Sequence, residues 1–209
     1  MIVLGLTGSI GMGKTTVAGL LAQAGVPLHD ADAIVRDLYA GPAVPLIEAL
    51  FPGSTANGVV DRDALRARVE QDPTAFDRLN AAIHPLVQDA ERDFRAAQRA
   101  AGAPLVVLDI PLLFETGADR RCDVTVVVSA PVEQQRARVL ARPGMTEARL
   151  NDILSRQMPD AEKRRRAHFV LDNGGTIVAL QTQVASLLRA LRPMLGTATR
   201  QPVAPARAR

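Results

Sequence analysis

The chain has 209 residues, 47% of them apolar but only 3% aromatic, which suits one α/β domain with an insertion and an aliphatic core. Of its 25 basic residues, Arg200, Arg207 and Arg209 fall in the acid-free stretch 197–209, and the remaining 22 balance the 22 acids, so the net charge of +3 marks a basic tail and not a nucleic-acid-binding face. A single cysteine, Cys122, excludes an intrachain disulfide and fits a reducing cytoplasm, and no apolar run reaches the roughly 18 residues of a membrane-spanning helix.

The apolar run from Ile2 to Leu6 reads as a buried parallel strand, with no basic segment before it, so no secretory leader is expected. It runs into Gly8-Ser9-Ile10-Gly11-Met12-Gly13-Lys14-Thr15, which fits G-x-x-x-x-G-K-[ST], the P-loop pattern. Thr16 to Ala22 continues as a helix, so strand, loop and helix follow in the order the pattern requires. Glycines let backbone N–H groups close around phosphate oxygens, and the helix N-terminus adds positive potential. Lys14 is then expected on the β- and γ-phosphates, and the Thr15 hydroxyl on Mg²⁺. Lys14 and Lys163 are the only lysines in the chain.

Val26 to His29 reads as a second strand, ending in Asp30-Ala31-Asp32 before a helical pattern over 33–39. Strand C-terminal ends line the ligand crevice of a parallel sheet, which places both acids at that edge. Either acid could instead cap the helix. Residues 41–103 read as helical and irregular, with no strong strand. Asp61 caps a helix to about Gln71, Asp72-Pro73 starts another, and Asn80 to Pro85 precedes an amphipathic helix over about 86–101. This stretch is an insertion suited to holding a phosphate acceptor.

Pro104 to Asp109 is a third strand ending in an acid, either a Mg²⁺ ligand or a turn-stabilising Asp. Asp123 to Ser129 is a fourth, and a helix follows over about 131–141. The stretch from Arg136 to Arg166 is arginine-rich, with a lid expected over about 138–166 and Thr146 capping a helix. His168 to Asp172 is a fifth strand, followed by Asn173-Gly174 and a final helix over about 176–192. The tail 197–209, rich in Pro, Ala and Arg, is expected to be disordered. The three histidines stand on three separate elements and have no zinc-site spacing. The element order predicts an α/β, P-loop NTPase fold: a five-stranded parallel sheet flanked by helices, first strand central, with a helical acceptor-binding insertion and a lid.

A GTPase would need an Asn-Lys-x-Asp, absent in a chain with these two lysines. A small-molecule kinase fits better. Leu6-Thr7-Gly8 through Thr16, Asp30-Ala31-Asp32 with Arg36, Leu79-Asn80 with Ile83-His84-Pro85, Pro111-Leu112-Leu113 with Glu115, Gln135 with Arg138 and Arg142, Gln157, and Asp172-Asn173-Gly174 together resemble the dephospho-CoA kinases, nearly to residue 192. The resemblance implies transfer of the γ-phosphate of ATP to the ribose 3′-hydroxyl of dephospho-CoA, the last step of coenzyme A biosynthesis. It implies ATP held by Gly8, Gly11, Met12, Gly13, Lys14, Thr15 and Thr16, with Asn173-Gly174 near the adenine. It places Mg²⁺ at Thr15 and Asp109, and the acceptor at Asp32, Arg36, His84 and Glu115. Asp32 would be the general base. Arg142, with Arg138 second, would close on the transferring phosphate, arginine being always charged and able to bind phosphate through two donors. The alternatives are another nucleoside or nucleotide kinase, or a nucleotide-dependent binding module using the basic tail. Partners are expected to be small molecules, with neither nucleic acid nor membrane, and the protein a cytoplasmic monomer.

Overall fold

The computed structural model describes residues 1–197. In chain order they form β1 (Ile2–Thr7), α1 (Lys14–Gln23), β2 (Leu28–Asp30), α2 (Ala31–Tyr39), α3 (Val44–Leu50), β3 (Thr55–Ala56), β4 (Val59–Val60), α4 (Arg62–Gln71), α5 (Ala75–Ala100), β5 (Leu105–Asp109), β6 (Val124–Ser129), α6 (Val132–Leu140), α7 (Glu147–Ser155), α8 (Asp160–Arg166), β7 (Phe169–Asp172) and α9 (Ile177–Thr197). The chain divides into two compact units, Met1–Leu28 with the chain from Gln98 onward, and His29–Ala97.

The sheet has five strands in the order β2-β5-β1-β6-β7. β1 lies at its centre, as expected, and pairs in parallel with β5 (Leu4 opposite Val107) and with β6 (Leu6 opposite Val126). Every residue of β1, β5 and β6 is buried, which is why these strands read as unbroken apolar runs with no alternation. One core joins Leu4, Leu6, Val107, Val126 and Val128 to Val17 and Leu21 of α1 and to Leu180, Val184, Leu187 and Leu191 of α9. A smaller cluster of Leu113, Phe114, Ala118 and Val127 packs with Met158 and Ala167. The sheet and α1 thereby hold the β1–α1 turn between two rigid elements.

The second unit has its own core, formed by Leu38, Ile47, Phe51, Val60, Leu65, Ala75 and Ile83. It begins earlier than the expected insertion 41–103, because α2 belongs to it. It also contains a short antiparallel hairpin, β3–β4, turned at Asn57-Gly58 with positive φ at both residues. The two helices expected over 73–101 are one helix, α5, with Pro85 inside it. The proline removes the donor for the Ala81 carbonyl. Ala81 is exposed, so water can take that carbonyl, while Leu79, Ile83, Leu86 and Val87 keep the apolar face against the unit's core. The final helix runs on to Thr197, and the rest of the expected basic tail lies outside the described residues.

Candidate active site

The β1–α1 turn is shaped by two glycines. Gly11 and Gly13 have φ of 78° and 93°, a region side chains rarely adopt. A Cβ on Gly11 would lie 2.5 Å from Val139 Cγ2, and one on Gly13 would collide with Asn173 Nδ2. Gly13 is also the residue that caps α1. Among the described residues, no protein acceptor takes the amides of Gly11, Gly13, Lys14 or Thr15. Unpaired donors at a helix start, next to a lysine, make an anion site. The Lys14 ammonium is 2.5 Å from Asp109 Oδ1 at the end of β5, with side-chain exposures of 15% and 6%. A lysine paired this way is held extended over the turn. Thr15 and Thr16 are exposed on the first turn of α1.

The other polar groups of the turn are held by residues from distant elements. Asn173 Nδ2 donates to the Met12 carbonyl at 3.0 Å, and Ala130 N–H meets Met12 Sδ at 3.1 Å. From α6, Gln135 Nε2 donates to the Ile10 carbonyl at 2.8 Å, while Gln134 Nε2 donates to the Gly174 carbonyl at 2.9 Å. Arg138 Nη2 donates to the Asn173 carbonyl at 2.8 Å, and its Nη1 is buried without a hydrogen-bond partner. Thus α6 ties the phosphate turn to Asn173-Gly174, the pair expected near the adenine. Arg142, just past α6, is exposed, and its guanidinium has no partner among the described residues.

Glu115, expected at the acceptor, turns its carboxylate inward. Oε1 is 2.9 Å from Lys163 Nζ and accepts from Met158 N–H at 2.8 Å, while Oε2 is buried without a partner. Lys163 on α8 is 0% exposed. Sequence reasoning assigns Lys163 no role. Its rarity is the available signal, since both lysines of the chain turn out to be paired with an acid.

In the second unit, Asp30 is the N-cap of α2: its Oδ1 accepts from the Asp32 and Ala33 amides at 2.9 and 3.0 Å. Asp32 therefore stands in the first turn, with its own carboxylate exposed and no partner among the described residues. Arg36 follows one turn later on the same helix, exposed and paired with neither Asp32 nor Asp37. His84 is exposed on α5, its Nε2 3.5 Å from Gln88 Nε2. His29 on β2 is 4% exposed, in ring contact with Phe94 at 5.1 Å, and burial pushes its imidazole below the usual histidine range against the pull of Glu91 and Asp30.

A parallel sheet whose central strand delivers free loop amides and a lysine to a helix N-terminus defines a P-loop nucleotide-binding protein. The model of the dephospho-CoA kinase family matches residues 2–179. The dephospho-CoA kinase of Brucella melitensis is 55% identical over 200 residues, covering 96% of this chain and 100% of that protein. The crystal structure of TT1252 from Thermus thermophilus superposes with a TM-score of 0.80 at 38% identity, covering 91% of this chain and 97% of that one. The dephospho-CoA kinase of Campylobacter jejuni shares the fold, with a TM-score of 0.69 at 21% identity over 92% of this chain and 98% of that one. The chain belongs to the dephospho-CoA kinase family and carries out the ATP-dependent phosphorylation of dephospho-CoA in coenzyme A biosynthesis.

Proposed function

We propose that the free amides of Gly11, Gly13, Lys14 and Thr15 receive the β- and γ-phosphates of ATP, and that Asp32 serves the ribose 3′-hydroxyl of dephospho-CoA as general base. Phosphoryl transfer depends mostly on positioning and on neutralising charge over the transferring oxygens. Lys14 supplies one positive charge at the loop, exchanging its contact with Asp109 for phosphate. Gly8, Met12 and Thr16 shape the same cradle, and Asn173-Gly174, with Arg138, receive the adenine side. Arg142, whose guanidinium is uncommitted, closes on the transferring phosphate as part of a lid over about 138–166. In the second unit, the uncommitted charges of Asp32 and Arg36, with His84, serve the acceptor. Asp32 accepts the hydroxyl hydrogen bond and takes its proton as the 3′ oxygen bonds to the γ-phosphorus and the bond from that phosphorus to the β,γ-bridging oxygen breaks, releasing ADP. In a loose transition state that proton leaves late, so the carboxylate orients the nucleophile first.

The donor set also fits Mg²⁺, which binds through few protein oxygens and keeps water and phosphate as its other ligands. The Thr15 hydroxyl and the Asp109 carboxylate are such oxygens, on neighbouring elements at the loop. When bound, the ion neutralises charge on the phosphate oxygens. The reading places the protein in the cytoplasm as a monomer acting on small molecules. Among the described residues, no helix is long and apolar enough to cross a membrane.

The observation that carries the reading is the run of unpartnered amides beside Lys14. Its test is a coupled ADP-release assay over a panel of acceptors, with ³¹P NMR of the product. Turnover with dephospho-CoA and a new phosphate on the 3′ oxygen is expected. A new phosphate on any other oxygen of the acceptor would overturn it.

A further inference from the structure

Ile10 stands in the phosphate turn, and both of its backbone polar groups are taken by side chains. Its carbonyl accepts from Gln135 Nε2, and its N–H donates to Gln157 Oε1 at 3.1 Å. Gln157 begins a short strip from the end of α7 to the first residue of α8 that is pinned twice more. The N–H of Met158 donates to Glu115 Oε1 at 2.8 Å, and Asp160 Oδ2 accepts from Ser129 Oγ, at the end of β6, at 2.7 Å. The phosphate turn, the segment after β5 and the end of β6 are therefore joined through four consecutive residues, 157–160.

Lys163 lies at the base of this arrangement. Its ammonium is 2.9 Å from Glu115 Oε1 and 3.5 Å from the Pro111 carbonyl. That carbonyl also accepts from Thr7 Oγ1 at 2.9 Å, and Thr7 immediately precedes the turn. Among the described residues, Lys163 is the largest side chain with no exposure at all. Taking an ammonium and most of a carboxylate out of water is expensive, and an apolar pair of the same volume often fills such a space at no loss of stability; the Lys163 side chain is 0% exposed and that of Glu115 16%. A charge kept there fits a demand for one geometry over its alternatives. Glu115 Oε1 serves two donors at once. Without Lys163, the carboxylate, 16% exposed, would lose its counter-charge and could turn toward solvent, which weakens its hold on Met158.

We propose that Lys163 is a positioning residue for ATP binding. It fixes Glu115, Glu115 fixes the Gln157–Asp160 strip, and Gln157 holds Ile10 so that the neighbouring amides stay aimed at phosphate. The proposal rests on the assignment of those amides to the phosphates of ATP. It makes Glu115 part of the scaffold beneath the nucleotide and not a ligand of the acceptor.

Two variants test it, with ATP affinity read by calorimetry and Tm read alongside. Gln157→Ala removes the last link and no buried charge. Its Kd for ATP is expected to rise about tenfold, the scale of one lost hydrogen bond. The double variant E115M/K163M removes both charges of the pair and, with them, the acceptor of the Met158 N–H. Its Tm is expected to recover relative to Lys163→Met alone, while its Kd for ATP stays raised about tenfold. A pair that only stabilised the fold would recover both. A wild-type Kd for ATP in either Gln157→Ala or the double variant overturns the proposal. Lys14→Ala, measured in parallel, separates this outcome from failure of the phosphate assignment, which would show as intact ATP binding in that variant.

Discussion

The two compact units present their charged groups in opposite ways. In the unit built on the sheet, the side chains around the phosphate turn are already engaged: Lys14 with Asp109, Gln135 and Gln157 with Ile10, Asn173 with Met12, and Glu115 with Lys163. What is left free in the turn itself is mainly backbone, the amides of Gly11, Gly13, Lys14 and Thr15, with Arg142 the uncommitted side chain beyond α6. In the His29–Ala97 unit the start of α2 has its amides capped by Asp30, and side chains are what is left uncommitted beside it: Asp32 and Arg36 are exposed, as is His84 on α5. A triphosphate is the same in every ATP and can be met by a rigid ring of donors prepared in advance. An acceptor that must be oriented and deprotonated calls for ionisable groups that are not already committed.

The sharpest way to break that contrast is Lys14→Ala. It removes the one side-chain charge of the phosphate turn and leaves Asp109 buried without its ammonium. A fall of about 10³-fold in kcat/KM for ATP is expected, the scale seen when one fixed donor is taken from a developing charge. The coupled ADP assay measures it, and activity within tenfold of wild type would mean the phosphates are met elsewhere. Asp32→Asn attacks the other half. It keeps shape and removes the base, so kcat should drop about 10²-fold or more while the Kd for ATP stays at the wild-type value. Loss of ATP affinity in that variant would erase the division of labour between the units.

The central strands are legible in the amino-acid sequence because buried parallel strands are nearly continuous apolar runs, and the phosphate turn because its residue types follow from its chemistry. The hairpin at Asn57-Gly58 escapes such a reading because strands of two residues show no period, although the Asn-Gly pair itself is a turn signal. The continuity of α5 escapes because a proline reads as a helix start, and only the unit's core shows that the apolar stripe carries on past Pro85. The sequence favours Asp30 over Asp32 as the cap without excluding either, since both positions accept an aspartate; the bonds from the Asp32 and Ala33 amides put the cap at Asp30. Nothing local in the sequence pairs Glu115 with Lys163; that contact exists only once α8 is laid against the segment after β5.

A smaller effect tests how the second unit is held together. Burial keeps the His29 imidazole below its ordinary pKa, so the unfolded chain binds a proton more readily than the folded one. Stability is then full above the unfolded value near 6.5 and is lost as pH falls through it. Glu91 and Asp30 pull the other way without prevailing. Thermal melts at pH 7.5 and pH 5.5 should show a larger loss of Tm in the wild type than in His29→Leu, which has no proton to take up. Equal losses would remove His29 from the acid lability of this unit.

The smallest effect discriminates most finely, because the second unit contains its own control. The pattern Asp-x-Asp opens α2 as Asp30-Ala31-Asp32 and opens α4 as Asp61-Arg62-Asp63, with the same geometry: the first acid accepts from the amides two and three residues on, at 2.9 and 3.0 Å in α2 and 3.0 Å twice in α4. Local physics therefore treats the two helix starts alike. Asp61→Ala and Asp30→Ala should each cost about 1 kcal/mol, the worth of an N-cap, measured by urea unfolding. Only the second should also lower kcat, because the amide released from Asp30 is that of Asp32 and the proposed base loses its fixed backbone. Asp63→Asn, set against Asp32→Asn, should leave turnover untouched. Equal kinetic losses in the two helices would mean that Asp32 acts as a first-turn acid and nothing more. A loss confined to α2 ties the chemistry to the helix that follows the sheet's edge strand.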